Sequence, residues 1–342
     1  MDRNGFIRSS AALGGRIMAW LGGSRPWPEL DDAVSQGARD NVFFTPYMQR
    51  RALGALAEGM LQEDVLRRWT DRYPVPDPAS GKKVCGIVAA GNIPAVAFHD
   101  ILTVLAAGWH PVVKLSSRDS RLLPVLFPEV EYCSTTEGWR VDALMTMGGD
   151  EAAEFYRKSF EGIPQAIRSG RFSAAVLTGR EGGQELEGLA EDMLLYYGMG
   201  CRSATCLLVP EGYDFSGAMA AAENFARARL GKTGTDNHRK NRAVLTLAGE
   251  RFLDSGTVIF RDLRRTVPGG TEDIGACRPW GISLHIGEVW YAEYSSSAEI
   301  EKFIMANKNR IQKIIRNFGS AQKPAPDDWP DGVDTLELLF HS

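Results

Sequence analysis

The sequence predicts an α/β protein built on parallel sheets and preceded by a helical segment. Three observations carry that expectation. From Lys83 onward, short apolar strands alternate with turns and helix starts three times in succession, as when parallel strands are joined by crossover helices. Upstream, Met48, Leu53, Leu56, Met60, Leu61, Val65, Leu66 and Trp69 recur at helical spacing. Downstream, an amphipathic segment near 183–197 runs through Tyr196-Tyr197-Gly198-Met199-Gly200-Cys201-Arg202-Ser203 into an apolar strand ending at Val209-Pro210.

The elements follow in order. Residues 1–75 are helical, and Pro74-Val75-Pro76-Asp77-Pro78 closes them, because proline stops a helix and stiffens a linker. Val84–Ala90 is a strand, Gly91-Asn92-Ile93-Pro94 a turn, and Ala95–Ala107 a helix with Pro94 in its first turn. His110–Leu115 is the next strand, and Ser116-Ser117-Arg118-Asp119 starts another helix. A strand at Asp142–Met147 leads through Gly148-Gly149-Asp150 into a helix at Glu151–Phe160. Further strands fall at Ala174–Leu177, 203–209, Gly256–Phe260, Ile282–Ile286 and Val289–Tyr294, with helices at 215–230 and Ser297–Ala306. The expected divisions are 1–175, 176–310 and a C-terminal segment, 311–342, that returns to the core and is loop-rich from Phe318 through Asp334.

Composition narrows the class. The chain has 342 residues, 44% hydrophobic and 24% charged, enough for two domains with their own cores. Its net charge of −4 implies no nucleic-acid surface. Cysteines 85, 133, 201, 206 and 277 lie without paired metal-ligand spacing, so reduced thiols, no metal and a cytoplasmic location are expected. Arg16–Leu21 is too short and too charged at its flanks for an export signal, and no run of about 18 apolar residues could span a membrane.

Cys201 sits at a glycine-flanked bend where a side chain can be presented, and the adjacent Arg202 favours a thiolate. The alternative is a buried structural cysteine. Cys206 and Cys85 lie inside strands and belong to the core. Asn92 can donate its amide to a developing oxyanion, with the Cys201 backbone N–H as second donor, or simply form the turn before Pro94. Lys114, Ser116, Ser117 and Arg118 at a strand end suit an adenosine ribose bearing a 2′-phosphate, or form a solvated strand end with a capping serine. Gly148 and Gly149 let backbone approach a pyrophosphate, or leave Asp150 as an N-cap. No G-x-G-x-x-G follows a strand. His99 is expected to be packed, and His238 with Arg239 and Lys240 to form a basic loop able to contact a substrate phosphate.

Three stretches together resemble the acyl-CoA reductase family of the bacterial luminescence pathway, in the aldehyde dehydrogenase superfamily. They are VCGIVAAGNIPAVAFHDILTVLAAGWHPVVKLSSRDSRLLP, YYGMGCRSATCLLVPEGYDF and FGSAQKPAPDDWPDGVDTLELL, within a likeness covering most of residues 80–342. The resemblance implies a dinucleotide-binding parallel-sheet domain and an α/β catalytic domain. It implies Cys201 as acyl-accepting nucleophile and Asn92 as oxyanion donor. It also implies Lys114 on the adenosine ribose, Ser117 and Arg118 at a 2′-phosphate, and Gly148 and Gly149 near the pyrophosphate. The implied activity is reduction of an acyl-CoA, most naturally a fatty one, to aldehyde with NADPH, NADH being the other cofactor the residues allow. An acyl-activating synthetase partner and self-association come with it.

Aldehyde-oxidising relatives carry a glutamate in the strand before the cysteine that activates hydrolytic water. Here that strand is Arg171-Phe172-Ser173-Ala174-Ala175-Val176-Leu177, without a carboxylate. Glu272, Glu288 and Glu293 all stay open for the nicotinamide ribose. A CoA-acylating aldehyde dehydrogenase running in reverse and a non-reducing acyl-transfer or acyl-binding relative are the other readings.

Overall fold

The computed structural model describes residues 2–77, 83–279 and 286–342. They form two compact units, one of residues 1–170 with 323–342 and one of 171–322.

In the first unit, helices α1 (Arg3–Leu21), α2 (Pro28–Asp40), α3 (Pro46–Met60) and α4 (Glu63–Thr70) precede the sheet. Asp2 caps α1 by accepting from the Gly5 N–H at 2.6 Å, and Thr45 caps α3 by accepting from Met48. The continuous period expected over 44–73 breaks at Leu61. There the Gln62 side chain donates to the Ala57 carbonyl, and Glu63 and Asp64 open a new helix with acidic first-turn charge. Leu61 packs so closely on Gly14 of α1 that a Cβ there would lie 2.7 Å from the Leu61 Cβ.

The sheet has β1 (Val84–Val88), β2 (His110–Lys114), β3 (Glu131–Cys133), β4 (Ala143–Gly148) and β5 (Gln165–Ser169), all parallel in the order 3-2-1-4-5. Helices α5 (Phe98–Ala106), α6 (Leu122–Leu126) and α7 (Asp150–Ser159) connect the strands. β1 and β4 are almost wholly buried because crossover helices cover both faces of such a sheet. Phe98, Ile101, Leu102, Ile87, Val113 and Trp109 anchor its core.

Two strands of this sheet, β3 and β5, and two of the second, at Leu253–Asp254 and Ile311–Ile315, were not expected from the sequence. β3 has only three residues. β5 (Gln-Ala-Ile-Arg-Ser) is polar because buried Arg168 places one amino group 2.7 and 2.8 Å from the Asp100 carboxylate on α5. That cation offsets the cost of burying Asp100 and holds its pKa below the ordinary value. The chain end returns here: α12 (Thr335–Phe340) is capped by Asp334, which accepts 2.7 Å from the Tyr73 hydroxyl. His99 is buried, its Nε2 2.8 Å from the Pro326 carbonyl.

In the second unit, β6 (Phe172–Val176), β7 (Ala204–Pro210), β8 (Leu253–Asp254), β9 (Ile259–Asp262), β10 (Glu288–Tyr294) and β11 (Ile311–Ile315) run in the order 11-6-7-10-9-8. All pairs are parallel except β8 with β9. Helices α8 (Gly183–Leu194), α9 (Ser216–Arg229), α10 (Gly231–Leu247) and α11 (Ser297–Asn307) complete it. The division falls between Gly170 and Arg171, since β6 hydrogen-bonds β7 and β11; a cut at 175 would split it. For the same reason 311–322 belongs with the second unit, and only 323–342 returns to the first. Residues 282–285 of the strand expected at Ile282–Ile286 lie outside the described residues.

His238 corrects another expectation. It is buried within α10, with Nε2 2.7 Å from the Asp254 carboxylate, and Asn241 one turn on donates to the Ile286 carbonyl. The polar run Thr235–Asn241 is helical because its inward face finds polar partners. Among the described residues no helix is long and apolar enough to cross a membrane.

Replacing Asp100 with Ala should destabilise the protein by about 3–5 kcal/mol, because it strands the Arg168 charge inside the unit. Equilibrium urea denaturation measures this, and an unchanged midpoint would refute the role given to the pair.

Candidate active site

In the first unit the strand order reverses direction between β1 and β4. In open α/β sheets ligands bind beyond the carboxyl ends of the strands at such a point. Asn92 lies in the bend after β1, Lys114 ends β2, and Gly148 ends β4 with Gly149 following it. Lys114 pairs in register with Val88, the last residue of β1. Lys114 is half-buried, and among the described residues its ammonium has neither a hydrogen bond nor an ion pair.

Ser116–Asp119 does not begin a helix. It closes into a turn, with the Asp119 N–H donating to the Ser116 carbonyl at 3.0 Å and the Arg118 N–H to Ser116 Oγ at 3.2 Å; α6 starts only at Leu122. Ser117 and Arg118 are exposed on this turn. Gly91 is pressed against it, since a Cβ there would lie 2.3 Å from Ser116 Oγ and 2.8 Å from the Arg118 Cβ. The Asn92 bend and the Lys114–Arg118 segment are therefore neighbours by construction.

Helix α5 begins at Phe98, not Ala95, because Ala95 sits in the left-handed region at φ 55°. An alanine there costs about 1–2 kcal/mol. Asp119 holds the bend by accepting from the Ala95 N–H at 2.8 Å. Burial pushes the Asp119 carboxyl up to about 7, against the pull of the Ala95 and Val96 N–H groups. Gly149 is the N-cap of α7 and Asp150 its first residue, so Asp150 does not cap it. Gly148 and Gly149 are exposed, and a Cβ at Gly149 would meet nothing within 4 Å. That end of α7 can receive an anion on backbone N–H groups.

Cys201 lies in the second unit, in the turn before β7. Helix α8 stops at Leu194, short of the expected 197. The chain then bends through Tyr196, Tyr197 and Gly198 with φ of 57°, 57° and 72°. Two left-handed tyrosines cost about 1–2 kcal/mol each. Both rings are buried, at 4% and 2% exposure, and burial of a large side chain contributes on the order of 1.5–3 kcal/mol. The Tyr197 hydroxyl also donates to the Leu230 carbonyl at 3.1 Å.

Three further contacts brace the turn. Ser173 Oγ on β6 donates to the Cys201 carbonyl at 2.8 Å, the Ser203 N–H donates to the Gly200 carbonyl, and Gln322 Nε2 donates to Ser203 Oγ at 3.2 Å. Gln322 is held by its own segment. Asp192 on α8 accepts from the Gly319 and Ala321 N–H groups at 2.7 and 3.0 Å. Gly188, one helical turn earlier, leaves room for the Gly319 backbone, which a Cβ would approach to 2.9 Å. Burial raises the Asp192 carboxyl to about 6, opposed by those two N–H groups.

Cys201 itself is partly exposed. Cys206 and Cys85 are fully buried, and burial drives both thiols far above the ordinary value. Neither competes as a nucleophile. Of the three glutamates left open, Glu288 is buried 3.3 Å from Arg261, while Glu293 and the exposed Glu272 pair with Arg264 at 2.8 and 3.2 Å. Ser173, Asp119 and Asp192 are the supporting residues the sequence did not reveal. The only local hint was a short polar side chain inside an apolar or helical stretch.

No protein-family model and no curated protein matches the chain. Solved structures do. A putative aldehyde dehydrogenase from Burkholderia cenocepacia superposes with TM-score 0.62 at 13% identity, over 94% of this chain and 76% of its own. An NAD-dependent aldehyde dehydrogenase from Sinorhizobium meliloti gives 0.61 at 13%, over 94% and 72%. A cysteine-to-alanine mutant of propionaldehyde dehydrogenase from the Clostridium phytofermentans fucose utilisation bacterial microcompartment gives 0.59 at 9%, over 94% and 84%. The chain has the aldehyde-dehydrogenase-like fold.

Asp119 holds a proton in the folded state that the unfolded chain releases from about pH 4 upward. Its contribution to stability is therefore full below the unfolded pKa and is lost as pH rises through 7. Asp119→Asn keeps an oxygen for Ala95 and should flatten this part of the stability-versus-pH curve between pH 4 and 7. Denaturation midpoints across that range test it; parallel curves for the two proteins would sink the assignment.

Proposed function

We propose that this protein reduces an acyl thioester, with acyl-CoA as the substrate class, to an aldehyde through an acyl-Cys201 intermediate and a nicotinamide cofactor. The observation that carries this reading is the braced, partly exposed Cys201 turn beside a strand that offers a serine instead of a carboxylate. A cysteine presented this way can attack a carbonyl. No carboxylate on β6 stands ready to activate water against the resulting thioester, which suits reduction over hydrolysis.

The Cys201 thiolate forms a bond to the acyl carbon and the bond to the CoA sulfur breaks, releasing the CoA thiolate. Asn92 and the Cys201 N–H are assigned to the carbonyl oxygen as negative charge develops on it. The bound nicotinamide supplies the hydride that takes the acyl group to the aldehyde level. The thiohemiacetal then loses its S–C bond, leaving aldehyde and free Cys201. Covalent storage keeps the carbonyl in place between the two halves of the reaction.

The first unit fits the cofactor. Lys114 is a half-buried cation at the carboxyl edge, without an ion pair among the described residues, where it would bind the adenosine ribose. Exposed Ser117 and Arg118 would read a 2′-phosphate, favouring NADPH over NADH, and Gly148-Gly149 would leave room for the pyrophosphate. A fatty acyl chain, an acyl-activating synthetase partner and self-association complete the reading that the sequence resemblance suggests.

Purified protein supplied with acyl-CoAs and NADPH or NADH should oxidise the nicotinamide and release a trappable aldehyde. Cys201→Ala should lose both turnover and the acyl adduct seen by mass spectrometry on the wild-type protein; normal turnover in that variant would end the mechanism. Lys114→Ala should raise the KM for the nicotinamide about tenfold, the loss of one charge-assisted contact, with kcat nearly unchanged.

A further inference from the structure

We propose that a cavity between α9, α10 and the β8–β9 turn of the second unit binds the phosphate end of a phosphorylated small molecule. The cavity holds about 300 Å3, at the lower end of the range for ligand pockets. Arg227, His238, Arg239 and Arg242 line it together with Thr257, and no carboxylate is among its described lining residues.

Two of the arginines are fixed from behind. Arg227 engages Glu223 through Nε and Nη2 at 2.8 and 2.6 Å, which leaves Nη1. Arg242 reaches Asp254 through Nε alone at 3.2 Å, leaving both terminal amino groups. The same Asp254 holds buried His238 at 2.7 Å. Arg239 is different: among the described residues its guanidinium has neither a hydrogen bond nor an ion pair. Two anchored guanidinium groups and a third whose charge has no partner among the described residues match a phosphate monoester or pyrophosphate better than a carboxylate, which needs only one fork.

The cavity is also tied to the cysteine turn. Leu230 lines it, and the Leu230 carbonyl accepts the Tyr197 hydroxyl at 3.1 Å. Tyr197 precedes Cys201 by at most about 14 Å of extended chain. A substrate with its phosphate in the cavity and its reacting carbon at Cys201 has that stretch to span, which the arm of a CoA thioester can do. That identity of the carrier rests on the thioester reading; the phosphate site itself does not.

The test is calorimetric titration of the full chain at low salt with pyrophosphate and with adenosine 3′,5′-bisphosphate. Wild type should bind pyrophosphate, and Arg239→Glu should weaken it by about tenfold or more, with Arg239→Gln intermediate. Arg239 is exposed and has no partner among the described residues, so neither variant should alter the thermal melt. Tighter binding of the bisphosphate assigns the cavity to the nucleotide end of a CoA substrate; equal affinities assign it to free phosphate. Absence of binding, or binding that survives Arg239→Glu, overturns the proposal. Thioester reduction is scored separately. Arg239-dependent binding without reduction leaves the site standing and removes the function, while reduction without such binding does the reverse.

Discussion

The second unit depends on one costly piece of backbone. Tyr196, Tyr197 and Gly198 in succession occupy the left-handed region, which turns the chain from α8 toward β7 and makes Cys201 the tip of a bend. A helix continued to 197 would carry the cysteine away on a helical path. The bend persists because its tyrosine rings are buried and one hydroxyl is bonded to the α9–α10 junction. Strain is offset where the side chains pack, not where the chemistry would occur.

The first unit uses the same device on a smaller scale. Ala95 is left-handed, and a buried carboxyl, Asp119, fastens its N–H. Asp192 does the corresponding work in the second unit by fastening the 319–321 backbone that carries Gln322 to the cysteine turn. Burial raises both acids, to about 7 and about 6. They act as hydrogen-bond acceptors for loop backbone. In that role a neutral acid serves nearly as well as an anion and avoids much of the desolvation cost.

Polar groups in this protein thus divide by purpose. Asp100 and Arg168 neutralise each other inside the first unit, and Glu288 and Arg261 do so in the second. Among the described residues Lys114 and Arg239 stand apart from such pairs. Cations left uncompensated beside a sheet edge or a cavity are where anionic ligands gain the most, because no internal partner must be displaced first.

Local patterns by themselves determined the helical lead, the strands β1, β2, β4, β6, β7 and β10, the helices α7, α8, α9 and α11, and the bend at Cys201. Each rests on apolar periodicity or glycine placement, which are properties of neighbouring residues. Tertiary structure alone decided the rest. β5 is a strand although polar, because Arg168 meets Asp100 from a distant helix. The Thr235–Asn241 run is helical although it resembles a loop, because Asp254 and the Ile286 carbonyl satisfy its inward face. The Ser116–Asp119 turn and the short start of α5 hinge on Gly91 and Asp119, whose partners lie on another segment. Residues acting through a neighbour along the chain leave a pattern that can be read. Residues whose partner arrives only on folding leave an isolated serine, aspartate or arginine, and nothing local distinguishes it from a solvated one.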